Sequence, residues 1–303
     1  MHNFYMQTPW GCIHCCQWLP KGNPVGIVQI VHGISEYVAR YDHFARFLAE
    51  NGYLVVGGDH PGHGGSVGEE DQFGYMTGGW DSAVKIVHLI HKKTVEEYPE
   101  LPYFILGHSM GSFLLRTYLF TYRDSLAGVL ISGTAWQPAA VLAAGLAVCA
   151  EEAARLGERN HSELLQTLAF GTYNKQFAPN RTPYDWISSD EHIVDAYGAD
   201  SYCTWKPSVQ LIREMMRGIQ KNQKRDNLSR MDKSLPVFFF AGQLDPVGNM
   251  GNGVLKSVQA FKQAGMQDVL VELYPNMRHE CHNEIGKEKV YDDVLAWLEE
   301  KRK

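Results

Sequence analysis

Cysteine is scarce in this chain, and long apolar runs are absent. Six cysteines in 303 residues are too few for the disulfide scaffold of a small secreted protein, so we expect free thiols in a reducing compartment. The most apolar stretch, Ala139 to Ala150, spans about twelve residues, whereas a helix that crosses a bilayer needs roughly twenty. The segment 1–10 lacks the basic start, apolar core and small cleavage residues of a secretory signal, which predicts a cytoplasmic protein.

Positive charge is also in short supply. Lys and Arg number 28 against 34 Asp and Glu, and the formal net charge is −6. Without a basic stripe, electrostatic attraction to a phosphate backbone is weak, so nucleic acid is not an expected partner. No glycine-rich phosphate-binding motif of the form G-x-x-x-x-G-K-[ST] occurs, and no G-x-G-x-x-G opens a helix after a strand, so no nucleotide site is predicted.

Strand and helix patterns alternate through the first part of the chain. Short β-branched or apolar segments, typical of buried strands, alternate with segments whose apolar residues recur at helical spacing. This repetition predicts an α/β fold with a mostly parallel central sheet that is flanked by helices on both faces. The predicted strands are 25–31, 53–57, 103–106 and 128–132, and the predicted helices are 41–51, 80–98 and 111–122.

The alternation breaks after residue 132 and resumes at residue 236. A strand at 236–241, a helix at 252–265, a strand at 269–274 and a final amphipathic helix complete the predicted sheet domain. The interval between the two parts contains apolar helix-like segments and a mixed polar stretch. The pattern therefore predicts a core domain made of residues 1–132 and 236–303, interrupted by a helical cap at 133–235.

A candidate nucleophile lies at the end of the third predicted strand. Residues 107–111 read GHSMG and match G-x-S-x-G, in which small residues permit the sharp strand-to-helix turn that exposes a serine. A second match surrounds Ser66 at 64–68. Ser66 ends a loop, whereas Ser109 follows an apolar strand and precedes an apolar helix, so the context predicts Ser109 as the nucleophile and Ser66 as a loop residue.

A serine nucleophile needs a neutral imidazole as base and a carboxylate that orients it. Asp245 and His279 each follow a predicted strand, at the sheet edge where sites of open α/β sheets form. The order Ser109, Asp245, His279 is the nucleophile, acid, base order of an α/β-hydrolase. An Asp-Pro turn and a surface-loop histidine are the simpler interpretations of Asp245 and His279, and His282 is the nearest rival base.

An oxyanion also needs backbone N–H donors. Met110, directly after the nucleophile, is predicted to supply one, and Ile34, in the loop after the first predicted strand, the other. His32 in that loop is predicted to be a structural anchor.

Histidine pairs and clustered cysteines also suggest metal binding. The pairs are His60 with His63 and His88 with His91, and the cluster is Cys12, Cys15 and Cys16 with His14. None has a further ligand at a recognised spacing, so no metal site is predicted.

Four segments now carry a family resemblance. They are HGISE at 32–36, DHPGHGGS at 59–66, GHSMG at 107–111 and YPNMRHE at 274–280. The chain resembles the monoacylglycerol lipase and lysophospholipase-like branch of the serine α/β-hydrolases, whose catalytic domain is often labelled serine aminopeptidase-like. Tyr37 departs from the histidine that this family commonly has after the glutamate.

The resemblance implies a serine carboxylic ester hydrolase without a cofactor. It assigns catalysis to Ser109, Asp245 and His279 and the oxyanion hole to Ile34 and Met110, and it implies single-chain lipid esters such as monoacylglycerols or lysophospholipids as substrates. A small-ester carboxylesterase, an amide or peptide hydrolase with the same triad, and a non-catalytic binding protein remain alternatives. The apolar cap residues 141–148 are expected to line a pocket, to contact a membrane transiently, or only to pack the cap onto the core.

Overall fold

The computed structural model describes residues 1–68 and 72–303. Within these ranges one eight-stranded sheet has the order β1-β2-β4-β3-β5-β6-β7-β8. β1 and β2 form an antiparallel hairpin, β2 pairs antiparallel with β4, and the remaining neighbours are parallel. The strands are β1 His2–Thr8, β2 Gly11–Trp18, β3 Gly26–Val31, β4 Tyr53–Gly58, β5 Tyr103–His108, β6 Gly128–Ser132, β7 Val237–Gly242 and β8 Val269–Tyr274.

Helices connect the parallel strands, as the alternating pattern predicts. The predicted and observed bounds of these helices agree closely. Gly52, which follows the C-cap residue of α1, adopts a φ of +91°, in the left-handed region that commonly ends helices. The α-helices are α1 Asp42–Glu50, α2 Gly79–Glu97, α3 Met110–Thr121, α4 Ala139–Leu156, α5 Glu163–Phe170, α6 Glu191–Ala199, α7 Val209–Asn222, α8 Arg225–Ser229, α9 Asn252–Gln263 and α10 Lys287–Lys301. Short 3₁₀ helices are Val38–Tyr41, Gly64–Ser66, Lys175–Phe177 and Cys281–Asn283.

Both faces of the sheet are covered, which confirms the predicted α/β class. Every residue of β3 to β7 is buried, because alternate side chains enter two separate cores. On one face, residues such as Ile105 and Phe239 pack with Trp80 of α2 and Phe113 of α3. On the other face, the intervening residues, Phe104 among them, pack against α1 and α10.

Helices α4 to α8 all lie between β6 and β7, which are neighbours in the sheet. We call residues 133–236 the inter-strand segment. Helix α7 of this segment packs against the core at Gly218, which contacts the indole of Trp80. A Cβ on Gly218 would lie only 2.2 Å from the indole. Asn222 at the end of α7 donates to Phe113 O at 2.8 Å and accepts from Thr117 Oγ1 at 2.8 Å. Among the described residues, no helix has both the length and the apolar character that a membrane crossing requires.

Candidate active site

Ser109 occupies a strained turn between β5 and α3. Its φ of 53° and ψ of −121° lie in a region that non-glycine residues rarely adopt. The Ser109 N–H donates to Ser132 O of β6 at 3.0 Å, which ties the turn to the neighbouring strand. The serine hydroxyl therefore stands at the carboxyl edge of the sheet, held by backbone geometry.

The two glycines of GHSMG are required by close backbone contacts. A Cβ on Gly111 would lie 1.9 Å from Val31 O, and a Cβ on Gly107 would lie 2.6 Å from Gly111 O. Both distances are far below van der Waals contact. The turn therefore packs against the end of β3, and this contact brings Ser109 close to the loop that begins at His32.

Asp245 and His279 come together beyond the ends of β7 and β8. His279 Nδ1 lies 3.0 Å from Asp245 Oδ1, although the ring N–H is not aligned along the line between these atoms. Asp245 is further held through Oδ1, which accepts from Val247 N at 2.9 Å.

The His279 ring also adjoins the serine turn. Gly133 follows Ser132, the acceptor of the Ser109 amide, and a Cβ on Gly133 would lie 2.9 Å from His279 Cε1. Burial alone would lower the pKa of His279, but the Asp245 carboxylate more than offsets this effect and raises the pKa above its ordinary 6.5.

Two further histidines pack beside His279 and stay neutral. The rings of His108 and His279 lie 4.6 Å apart, and those of His108 and His282 lie 5.0 Å apart. Burial lowers the pKa of His108 well below 6.5 and that of His282 to about 4. His282 stacks on Tyr41 at 4.5 Å, which places it as a packing residue and not as a partner of Asp245.

The loop after β3 lies directly against Ser109. A Cβ on Gly33 would lie 3.0 Å from Ser109 Cβ, and Ile34 follows in the chain. Met110 is the first residue of α3, a position whose N–H has no acceptor in a preceding helical turn. The predicted oxyanion donor Met110 directly follows the serine, and the predicted donor Ile34 follows the glycine that contacts it.

A buried ionic cluster that sequence reasoning missed joins this loop to the histidine loop. Arg40 contacts Glu280 through two bonds of 2.8 and 2.9 Å and Glu36 at 3.2 Å. Glu36 also accepts from the Gly33 N–H. Burial raises the pKa of Glu36 to about 7. For Glu280, Arg40 outweighs burial and lowers the pKa to about 2. The motifs at 32–36 and 274–280 contain both glutamates, but nothing in either motif points to Arg40.

A cavity of about 300 Å³ opens between Ile34 and the inter-strand segment. Aromatic side chains dominate the apolar part of its lining, namely Phe170, Tyr184, Trp186, Tyr197 and Trp205. Trp186 also contacts the site directly, because its ring lies 5.1 Å from the His279 ring and its carbonyl accepts from His279 N at 3.4 Å. Three larger cavities have volumes of about 810, 590 and 370 Å³. The first two are lined by other residues, and the third shares Pro183 and Tyr184 with this cavity.

Ser66 and the histidines near it form a structural network. Ser66 Oγ donates to Asp59 O at 2.8 Å and accepts from His14 N at 2.9 Å. His60 N donates to His32 Nε2 at 3.0 Å, so His32 anchors two loops. Among the described residues, a metal-like grouping occurs at His88, His91 and Asp124, and it includes neither the His60 and His63 pair nor the cysteines of β2.

Comparisons with known proteins show the family and the fold of this chain. A family model described as serine aminopeptidase S33 matches residues 22–286. A monoacylglycerol lipase of Mycolicibacterium smegmatis is 26% identical and covers 93% of this chain and 90% of that protein. A monoglyceride lipase of Mus musculus is 25% identical and covers 94% of this chain and 86% of that protein. A solved thermostable carboxyl esterase from Bacillus coagulans, in complex with glycerol, has a TM-score of 0.92 at 27% identity and covers 100% of this chain and 99% of that one.

Proposed function

Because the chain belongs to the serine aminopeptidase S33 family of α/β-hydrolases and is therefore a serine hydrolase, we propose that it hydrolyses single-chain lipid esters through Ser109. The observation that carries this proposal is the position of the serine turn and the Asp245–His279 pair beside an aromatic cavity. A monoacylglycerol or a lysophospholipid has the required shape, with one acyl chain for the cavity and a polar remainder for solvent.

In the proposed reaction Ser109 Oγ attacks the acyl carbon while His279 Nε2 accepts the hydroxyl proton. Asp245 holds His279 in the tautomer that leaves Nε2 unprotonated. The N–H groups of Ile34 and Met110 stabilise the oxyanion. His279 then protonates the leaving alcohol, and a water molecule, activated by the same histidine, releases the fatty acid from the acyl-enzyme.

The inter-strand segment supports the lipid assignment, because most of the cavity lining comes from it. We propose that residues 133–235 act as a cap over the acyl chain. Helix α5 of this cap exposes Leu164 and Leu168 to half or more of their full surface, at 50% and 58%, and these residues lie four apart on one side of the helix. Transient contact of this apolar side with a lipid surface would bring the cavity to its substrate.

We further propose that the enzyme works in the cytoplasm. All six cysteines are unpaired, and Cys12 is exposed, which suits a reducing compartment.

The experiment that tests the proposed function is the initial hydrolysis rate across monoacylglycerols from acetyl to stearoyl. Each methylene that enters the apolar cavity should add up to about 0.8 kcal/mol to binding in the transition state. Because the cavity is at the small end of the usual ligand-pocket range, we expect kcat/KM to rise up to medium chains, octanoyl to dodecanoyl, and then to level off.

Ser109→Ala is the control for this series and should lose activity by about 10⁴-fold or more. A maximum at acetyl would replace the lipid assignment with a small-ester hydrolase. Activity on aminoacyl amides but not on esters would support the peptidase alternative. Failure of the wild-type serine to react with a fluorophosphonate would leave only a binding protein.

A further inference from the structure

A cluster of two histidines and one aspartate lies apart from the active site. His88 and His91 lie one turn apart on α2, and Asp124 lies in the loop between α3 and β6. One potential ligand atom from each residue lies within 4.8 Å of the other two. Asp124 Oδ2 is 2.8 Å from His88 Nδ1 and 3.8 Å from His91 Nδ1. Ligand atoms of a tetrahedral zinc ion lie about 3.3 Å apart, given bonds of about 2.0 to 2.1 Å. The two distances to Asp124 lie on either side of this value, and small side-chain shifts would bring all three atoms to it.

His91 has an unsatisfied ring in this cluster. It is only 5% exposed, and neither of its ring nitrogens has a hydrogen-bond partner in the described part of the chain. Buried polar atoms of native proteins nearly always have a partner, so an orphaned imidazole points to a missing one.

Neighbouring aromatic residues hold the other two side chains in place. The Tyr118 hydroxyl donates to Asp124 Oδ2. The His88 ring stacks on Tyr122 with ring centroids 4.0 Å apart. Metal ligands commonly have such supporting contacts, which fix their orientation. A cavity of about 590 Å³ reaches Asp124, one of the three residues, and is also lined by Tyr118 and Tyr122.

We propose that His88, His91 and Asp124 form a binding site for a divalent transition-metal ion. Two imidazoles and one carboxylate are ligands that suit Zn²⁺, and a water molecule can complete the tetrahedron. Tyr118 lies about 12 Å along α3 from the Ser109 end of that helix, since each residue advances the helix by about 1.5 Å. The ion therefore connects α2 to the end of α3 and acts on stability, independently of the proposed hydrolysis.

The test uses untagged full-length protein that has been stripped with a chelator and then loaded with Zn²⁺. We expect about one retained Zn²⁺ per chain after gel filtration, and a rise of several degrees in the unfolding temperature with excess Zn²⁺. Co²⁺ in place of Zn²⁺ should give the visible absorption of a tetrahedral site. His88→Gln and Asp124→Asn should each lose the retained ion, whereas His192→Gln, which replaces an exposed helical histidine, should keep it.

Tyr118→Phe tests whether the contact that orients Asp124 contributes to Zn²⁺ binding, as expected of a specific metal site. Loss of the hydroxyl that supports Asp124 should weaken Zn²⁺ binding by about 10- to 100-fold while the protein stays folded. The proposal is overturned if the wild type retains no ion, or if His88→Gln and Asp124→Asn retain as much Zn²⁺ as the wild type. Activity of the Zn²⁺-free protein on esters is measured separately, because it reports only on Ser109.

Discussion

At the residue scale, Arg40 is the cation on which two buried carboxylates depend. Its side chain is 11% exposed and bridges Glu36 in the loop beside Ser109 to Glu280 next to His279. These contacts cross from one catalytic loop to the other, so Arg40 is a positioning residue for both loops. Arg40 lies in the short 3₁₀ helix Val38–Tyr41, which precedes α1.

Arg40→Met should destabilise the protein by about 3–5 kcal/mol, because it leaves a buried ionised glutamate without its partner. Arg46→Met is a close control: Arg46 pairs with Asp42 at 2.6 Å, but its side chain is 57% exposed. An exposed pair of this kind contributes less than about 1 kcal/mol. Urea unfolding of both variants measures the difference, and equal losses would contradict the role given to Arg40.

In the proposed reaction His279 is the base, so its raised pKa sets the lower pH limit of activity. His279 must be neutral to accept the serine proton, and Asp245, with smaller contributions from Glu280 and Glu36, raises its pKa above 6.5. The acidic limb of kcat/KM against pH should therefore have its midpoint above 6.5. A midpoint at or below that value, measured on an uncharged ester, would show that Asp245 does not act on His279 as the geometry indicates.

At the element scale, α5 forms part of the wall of the cavity that is proposed to hold the acyl chain. Thr167 and Phe170 of this helix line the cavity beside Ile34. Thr167 is solvent-exposed on its other side, so a larger side chain there changes the cavity without entering a packed core. The helix is also secured at its start, where Ser162 Oγ accepts from Leu165 N at 3.1 Å, the usual N-cap bond.

Thr167→Trp should shorten the acyl chain that the enzyme accepts. A loss of two methylenes of contact should lower kcat/KM for a dodecanoyl ester by about tenfold, with little change for an acetyl ester. Thr172→Trp is the matched control, since Thr172 is also an exposed threonine and does not line the cavity. If both variants show the same chain-length profile as the wild type, the acyl chain does not bind along α5.

At the scale of the whole molecule, buried neutral histidines make the fold sensitive to acid. Burial lowers the pKa of His60 to about 4 and of His63 to about 3, and it lowers those of His32, His108 and His282 as well. In the unfolded chain these groups bind protons near pH 6.5. The unfolded state therefore binds more protons than the folded state as pH falls below that value, and acid favours unfolding.

The free energy of unfolding should fall steeply between about pH 6.5 and pH 4, by up to about 1.4 kcal/mol per pH unit for each such histidine. Urea titrations across this range measure the slope. His63→Gln should lower the slope by the contribution of one proton, about 1.4 kcal/mol per pH unit. His43→Gln, which replaces an exposed histidine, should leave the slope unchanged. A free energy of unfolding that does not change over this pH range would contradict the buried neutral state of these five histidines.

Prediction from sequence succeeded where the information is local. The elements around Ser109 were predictable because strand, turn and helix patterns are contiguous in the chain, and β5 and α3 appear within two residues of their predicted bounds. The β1–β2 hairpin was not predicted, because its strands are only half buried and their alternation is weak. The cavity lining was not predictable either, since Trp186 and Trp205 belong to an irregular part of the inter-strand segment.

The sequence by itself determined the α/β class, the position of the serine turn and the chain order of Ser109, Asp245 and His279, because periodicity and turn chemistry act over a few residues. Only the tertiary structure decided which distant groups meet. It brought Arg40 to Glu280 and Asp124 to His88, pairs separated by 240 and 36 residues. Such contacts depend on how helices pack against the sheet, and local sequence patterns do not determine that packing.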